Sequence, residues 1–279
     1  MHRLLTGPLT LERVVIPITG LSSAHQGLRL VQLSDFHWDG LRLSPWLLHQ
    51  AIDQSNAIDP DLVVLTGDFV TWEPTPIDEL AAQLVRLTSR YGIYAVLGNH
   101  DNLSLAGRQR VQQGLQQVGI QVLSNQVAYP LGPDLPLVGL ADLWSRDFAP
   151  APLFEALAAH LPRIVLCHNP DGISRLQHWR VDLQLSGHTH GGQIIVPGLG
   201  PIPKVMGQLR PRLPAAICRW IPYLGQGCDQ VVHNWEWAAG LYRLGRKYLY
   251  VNRGLGTYLP GRLFCPPEVT QITLTRAPD

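Results

Sequence analysis

The sequence predicts a layered α/β domain. Three observations carry that reading. Short apolar runs alternate with helix-like segments through the first two thirds of the chain. These runs end, one after another, in clusters of Asp, His and Asn. The composition is globular, with 46% hydrophobic and 15% charged residues. A chain of 279 residues suffices for one large domain with a full core.

The elements follow in order. Val14-Val15-Ile16 reads as a short strand interrupted by Pro17. Leu28 to Leu33 is a buried strand. Pro45 to Ser55 is a helix, with Pro45 suited to the first helical position. Leu62 to Leu65 is a second buried strand. Thr75-Pro76 opens a helix through about Leu87, with Thr75 as its N-cap. Ile93 to Leu97 is a third strand, and Arg108 to Val118 a helix weakened by Gly114. Leu137 to Leu140 and Ile164 to Leu166 are strands on either side of a helix around Leu153 to His160. Leu183 to Leu185 is a further strand.

Alternating β and α segments argue for layers of helix on sheet. After Ile194 the pattern changes to a stretch rich in Pro, Gly and Arg that runs to about Gly227. Ala239 to Leu244 and Lys247 to Val251 form a hairpin around Gly245-Arg246, and Val269 to Leu274 closes the chain as an alternating strand. No internal repeat or linker divides the sequence. The expectation is a single domain over 1–279 with a cap-like insertion at about 197–227.

Composition also excludes. The net charge is +1, without the basic surplus of a protein that lives on nucleic-acid backbone. The 4 cysteines form no C-x-x-C pair, against a zinc ribbon or redox motif, and read as reduced thiols in a cytosolic protein. Met1 to Leu21 has no apolar run long enough for a signal sequence or a transmembrane helix. The expected location is cytoplasmic, with peripheral membrane contact as an option.

The chemistry sits at the strand ends. The first buried strand runs into Ser34-Asp35-Phe36-His37, the second into Thr66-Gly67-Asp68, and the third into Gly98-Asn99-His100-Asp101. Ile164 to Leu166 runs into Cys167-His168-Asn169, and Leu183 to Leu185 into Ser186-Gly187-His188-Thr189-His190. Ligands bind outside the carboxyl ends of strands in an open α/β sheet. Each block alone is weak, since a strand-end Asp is commonly a helix cap and a solitary His a satisfied core residue. The ordered set is what points to metal. Two carboxylates, an amide oxygen and four imidazoles suit a pair of borderline divalent ions such as Mn, Fe or Zn, and not an all-oxygen Mg or Ca site. The other histidines (His2, His25, His49, His160, His178, His233) lie outside these blocks and read as ordinary.

The blocks Asp35-x-His37, Gly67-Asp68, Gly98-Asn99-His100-Asp101, His168 and Gly187-His188-Thr189-His190 resemble the calcineurin-like metallophosphoesterases over about Leu28 to Val196. Asn252-Arg253-Gly254-Leu255-Gly256-Thr257 and Pro266-Pro267-Glu268 are similar to a branch of membrane-associated bacterial phosphodiesterases and UDP-2,3-diacylglucosamine pyrophosphatase-type enzymes. The resemblance implies a four-layer α-β-β-α sandwich. It implies that Asp35, His37 and His190 hold one metal, that Asn99, His168 and His188 hold a second, and that Asp68 bridges both. Manganese is the favoured ion. Many members of that branch carry an N-terminal membrane helix, which Met1 to Leu21 does not supply.

The expected reaction is hydrolysis of a phosphodiester or pyrophosphate bond, in a small, lipid-linked or nucleotide-linked substrate, by a hydroxide shared between metals about 3.5–4 Å apart. His100 is the expected general acid, Asp101 its orienting partner, and Arg253 a phosphate contact. A protein serine/threonine phosphatase on the same centre is the alternative, and a nuclease is disfavoured by charge. A non-catalytic metal-binding scaffold would have no use for His100. The stretch 197–227 mixes Met206, Leu209, Leu213, Ile217, Trp220, Ile221, Tyr223 and Leu224 with Lys204, Arg210, Arg212 and Arg219. That mixture suits a membrane interface or an acyl-chain grip.

Overall fold

The strands form where β-branched and leucine-rich runs can be buried on both faces. In the computed structural model, which describes residues 5–220, 224, 225 and 227–278, the buried run Leu62–Leu65 (β3) is the simplest case. It lies in a six-stranded sheet with β1 (Thr10–Ile18), β2 (Arg29–Leu33), β4 (Ile93–Ala95), β5 (Ile120–Val122) and β14 (Glu268–Arg276). The order is β1-β14-β2-β3-β4-β5, with β2 to β5 parallel. The second six-stranded sheet runs β12-β13-β9-β8-β7-β6. Its strands are β6 (Gln126–Ala128), β7 (Leu137–Gly139), β8 (Ile164–Leu166), β9 (Leu183–Ser186), β12 (Gly240–Leu244) and β13 (Lys247–Val251), with β7, β8, β9 and β13 parallel.

Side-chain alternation sorts the core into three hydrophobic clusters that define the layers. Val31, Leu33, Val63 and Leu65 face outward from the first sheet onto Leu48 and Ile52 of α1 (Pro45–Ala57), Leu80 of α2 (Ile77–Leu84), and Val111 of α3 (Leu105–Gln117). Their neighbours Leu30, Leu62 and Val64 face the other way and meet Ile164, Leu166, Leu183 and Leu185 of the second sheet. Val165, Val138 and Val251 then face outward onto Phe154 of α4 (Ala151–Ala156) and Ile173 of α5 (Gly172–Arg175). The result is a four-layer α-β-β-α sandwich.

Several elements differ from the sequence reading. β1 extends through Pro17, which an edge strand tolerates because a missing N–H there breaks no interior ladder. α2 begins at Ile77 after Pro76 with no side-chain cap, so Thr75 does not cap it, and it ends at Leu84. α3 starts earlier, at Leu105, where Ser104 Oγ accepts from the amide of Gly107. Gly114 sits inside α3 for a packing reason: a Cβ there would lie 3.0 Å from Ile77 of α2. α4 is shorter than expected, and β5 and β6 are strands that the sequence did not announce.

Beyond the second sheet's site-bearing turn, β10 (Ile195–Val196) and β11 (Gly200–Pro201) make a small hairpin leading into α6 (Ile202–Leu209) and α7 (Ala215–Cys218). Leu224 is buried and Trp220 is 88% exposed. Arg210 holds Asp229, and Lys204 pairs with Glu236. Ile221 and Tyr223 lie outside the described residues. No helix among the described residues is long and apolar enough to cross a membrane.

Candidate metal centre

The carboxyl ends of β2, β3, β4, β8 and β9 converge where the two sheets meet. Gln32 ties the sheets together beneath this point, donating to Thr66 Oγ1 at 2.9 Å and to the Ser186 carbonyl at 2.8 Å. The chain must then turn sharply to aim side chains into a small volume. Of nine non-glycine residues with positive φ among the described residues, five are Asp35, His37, Asp68, His188 and His190. Left-handed backbone is costly for such residues and persists where the surroundings impose it, typically at functional sites. Gly98 and Gly187 are required by close approach: a Cβ on the first would overlap Asp68 Oδ1, and on the second Ser34 Oγ and Asp35 Oδ2.

Two donor groups result. Asp35, His37 and His190 gather on one side, and Asp68, His168 and His188 on the other, each set with ligand atoms within 4.8 Å of one another. Asp68 also groups with His37 and His100. Its Oδ2 lies 3.5 Å from His37 Nε2 and 3.2 Å from His168 Nε2. The carboxylates are fixed by backbone amides: His188 N–H donates to Asp35 at 2.9 Å, and His100 N–H to Asp68 at 2.9 Å.

Carbonyls outside the centre set the imidazoles. His168 Nδ1–H donates to Thr66 O at 2.6 Å and His188 Nε2–H to Val231 O at 2.9 Å. His190 Nδ1–H donates to Gly256 O at 3.1 Å, while His37 Nδ1 meets the Tyr258 hydroxyl at 3.1 Å. A carbonyl can only accept, so the opposite ring nitrogens of His168 and His188 point inward as lone pairs when neutral. Those two nitrogens are 3.1 Å apart. Two facing lone pairs at that distance call for a cation or a proton between them. Asn99 Oδ1 is also buried with no hydrogen-bond partner among the described residues. The donor set therefore fits borderline divalent metal ions.

Electrostatics divide the imidazoles: against the effect of burial, the Asp68 carboxylate raises His168 to about 10, so a metal ion there would displace its proton. Burial lowers His188, and the neighbouring His168 charge adds to it, down to about 4. Burial and then the Arg262 guanidinium push His190 down to about 3. Both are neutral and ligand-ready near pH 7. Burial would raise Asp68, but His168 and His100 hold it well below the usual carboxylate range.

Two expected roles change. Asp101 does not touch the His100 ring, whose Nδ1 instead meets Thr71 O at 2.7 Å. Asp101 is buried and accepts from the amides of Phe69, Val70 and Gly98, so it shapes the loops that carry Asp68 and Asn99. Arg253 is turned away from a phosphate role, because its guanidinium contacts Glu12 at 2.5 Å, Glu268 at 2.7 Å and Thr10 at 2.9 Å. Its neighbours do the close work: Gly254 packs on Asp35, and Gly256 N–H donates to Asp35 O at 2.7 Å. The cation in the wall is Arg262, which holds the carbonyls of Gly254 and Gly256. Tyr258, Asp142, Trp144 and Asp171 also belong to the surroundings and carried no strand-end signal. Outside the centre, His25 meets Leu131 O and His49 meets Gln83, while His2 lies outside the described residues.

Residues 28–192 match the sequence profile of the calcineurin-like phosphoesterase family. The chain belongs to that family. The phosphoesterase is 33% identical over 253 residues to the phosphodiesterase YaeI of Escherichia coli, covering 88% of this chain and 82% of the relative. It is 28% identical over 291 residues to the UDP-2,3-diacylglucosamine pyrophosphatase LpxG of Chlamydia trachomatis, covering 87% and 82%. Among solved structures, TT1561 of Thermus thermophilus is similar in fold, with a TM-score of 0.50 at 11% identity, covering 82% of this chain and 91% of that one. The phosphoesterase is thus a hydrolase with a His/Asp cluster able to hold metal.

Proposed function

We propose that this phosphoesterase uses two divalent ions to hydrolyse a phosphodiester or pyrophosphate bond in a lipid-linked or nucleotide-linked substrate. The observation that carries this reading is Asp68, whose Oδ2 faces a histidine of each donor group, at 3.5 Å and 3.2 Å. Asp35, His37 and His190 would hold the first ion, Asn99, His168 and His188 the second, and Asp68 both. Manganese is favoured. When bound, such a pair neutralises phosphoryl oxygens and supplies an activated water as nucleophile. The likeness to YaeI and LpxG, a phosphodiesterase and a pyrophosphatase, supports the choice of bond.

The chain's own residues do the rest. His100 is half-buried beside the centre, and Thr71 O accepts from its Nδ1–H. That bond fixes the ring beside the centre, where His100 would serve as general acid to the leaving oxygen. Asp101 keeps the loops of Asp68 and Asn99 in place from below. We read 1–279 as one domain and 197–227 as a cap. Trp220 and Ile217, 88% and 48% exposed, with Arg212 and Arg219, would form a peripheral contact with anionic membrane.

The test is a substrate panel on manganese-loaded protein: bis(p-nitrophenyl) phosphate, a nucleoside diphosphate sugar and a phosphoserine peptide. Turnover of the first two and not of the peptide is expected. Preference for the peptide would replace this reading with a protein phosphatase.

A further inference from the structure

Each candidate ligand imidazole is held from behind, but not by the same kind of atom. His168, His188 and His190 donate to backbone carbonyls, those of Thr66, Val231 and Gly256. A carbonyl only accepts, so at these three rings the backbone decides which nitrogen carries the outer proton. His37 differs. Its Nδ1 meets the Tyr258 hydroxyl at 3.1 Å, and a hydroxyl can donate or accept. The other nitrogen of His37 is the one aimed at the centre: Nε2 lies 3.0 Å from His190 Nε2 and 3.5 Å from Asp68 Oδ2.

Tyr258 is fixed in this place from several sides. Its backbone N–H donates to Gln193 Oε1 at 2.6 Å, and the N–H of Thr257 donates to Arg42 O at 2.9 Å. The Arg42 guanidinium lies over the Tyr258 ring, 4.3 Å from its centroid, a cation–π contact. The ring stands edge-on to His37 and His190, with centroids 5.0 Å and 5.4 Å away. Among the described residues the hydroxyl makes no hydrogen bond besides the one to His37.

We propose that Tyr258 is a positioning residue for the ion of the Asp35, His37 and His190 group, its hydroxyl accepting from His37 Nδ1–H so that Nε2 offers its lone pair to that ion, an assignment that rests on the two-ion reading above. An ion and a proton cannot share Nε2, so the ring must carry its proton on Nδ1 when it binds. His37 is fully buried, and without the hydroxyl that N–H would face no acceptor, which is costly. The histidines of the other group lean on carbonyls, which no side-chain substitution removes. One conservative change at Tyr258 should therefore weaken one ion and spare the other. Sequence reading passed over Tyr258 because it lies 221 positions from His37 and completes no metal motif.

The experiment is calorimetric zinc titration of the chelator-stripped full chain as wild type, Tyr258→Phe and His37→Ala. His37→Ala marks which binding event belongs to the first group. Tyr258→Phe keeps the ring and should weaken that event ~10–100-fold, the range for a residue hydrogen-bonded to a metal ligand, with the other event unchanged. Long-range proton–nitrogen NMR of the zinc-loaded wild type should place the His37 proton on Nδ1, a signature that ring packing alone would not set. Unchanged affinities in Tyr258→Phe, equal weakening of both events, or a His37 proton on Nε2 would overturn the assignment. A wild type that takes one ion sinks the two-ion reading, and Tyr258 then keeps its role only if both variants weaken that ion. A wild type that takes none overturns both. Hydrolysis of bis(p-nitrophenyl) phosphate by the same preparation separates the chemistry: two bound ions without turnover sink the phosphoesterase reading alone.

Discussion

At the scale of single residues, the chemistry of each imidazole is decided by the atom behind it. Thr66 O and Val231 O take the outer N–H groups of His168 and His188, which leaves the inner nitrogens facing the centre. Asp68 faces a histidine of each donor group, the position proposed to bridge two ions. Asp68→Ala should therefore keep the fold but lose bound metal and lower kcat by at least about 100-fold, beyond the usual effect of an outer-shell change. Metal analysis beside steady-state kinetics checks this, and near-normal stoichiometry would exclude a bridging role. His100→Ala should retain both metals and lose ~10²–10⁴-fold in turnover on esters with poor leaving groups, and far less on nitrophenyl esters. An equal loss across leaving groups would make His100 a phosphate-positioning residue. These strand-end residues were legible because each follows an apolar run directly. The partners of Asp101 and Arg253 were not. Glu12 lies 241 positions from Arg253, and Asp101 binds amides on another strand's loop, so neither contact leaves a local pattern.

At the scale of elements, the turns carry the function and the strands aim them. Asp171, at the start of α5, accepts from the amides of His233 and Asn234 and from the Asn234 side chain. It thereby anchors the segment that presents Val231 O to His188. Asp171→Ala should loosen that carbonyl and weaken metal affinity ~10–100-fold, the range for outer-shell partners, while leaving secondary structure intact. A metal titration with circular dichroism as the control reads this, and unchanged affinity would detach Asp171 from the centre. Most strands were legible from short apolar runs, and Lys247–Val251 emerged with the bounds expected. β5 and β6 were not, because three residues give no periodicity to read. The cap at Thr75 failed because Thr75-Pro76 lies in the turn before α2, which starts at Ile77 with no side-chain cap.

At the scale of the molecule, two sheets share one buried layer, and the centre sits at the rim where their carboxyl ends meet. The four-layer arrangement came from family resemblance, since alternation alone indicates layers and not how many. The segment 197–227 is where sequence said least about burial: Leu224, grouped there with lipid-facing residues, is 2% exposed, whereas Trp220 is 88% exposed. If the segment docks on membrane, wild type should co-sediment with anionic vesicles at low salt, and an Ile217→Ser, Trp220→Ser variant should remain in the supernatant. Absence of wild-type binding would remove the membrane contact and leave the centre untouched. The most direct test of a two-metal centre is manganese titration of chelator-stripped protein, following bound metal and bis(p-nitrophenyl) phosphate hydrolysis together. Activity, absent in the stripped protein, should return in full only as two equivalents bind. Full activity without metal, or saturation at one equivalent, would contradict it.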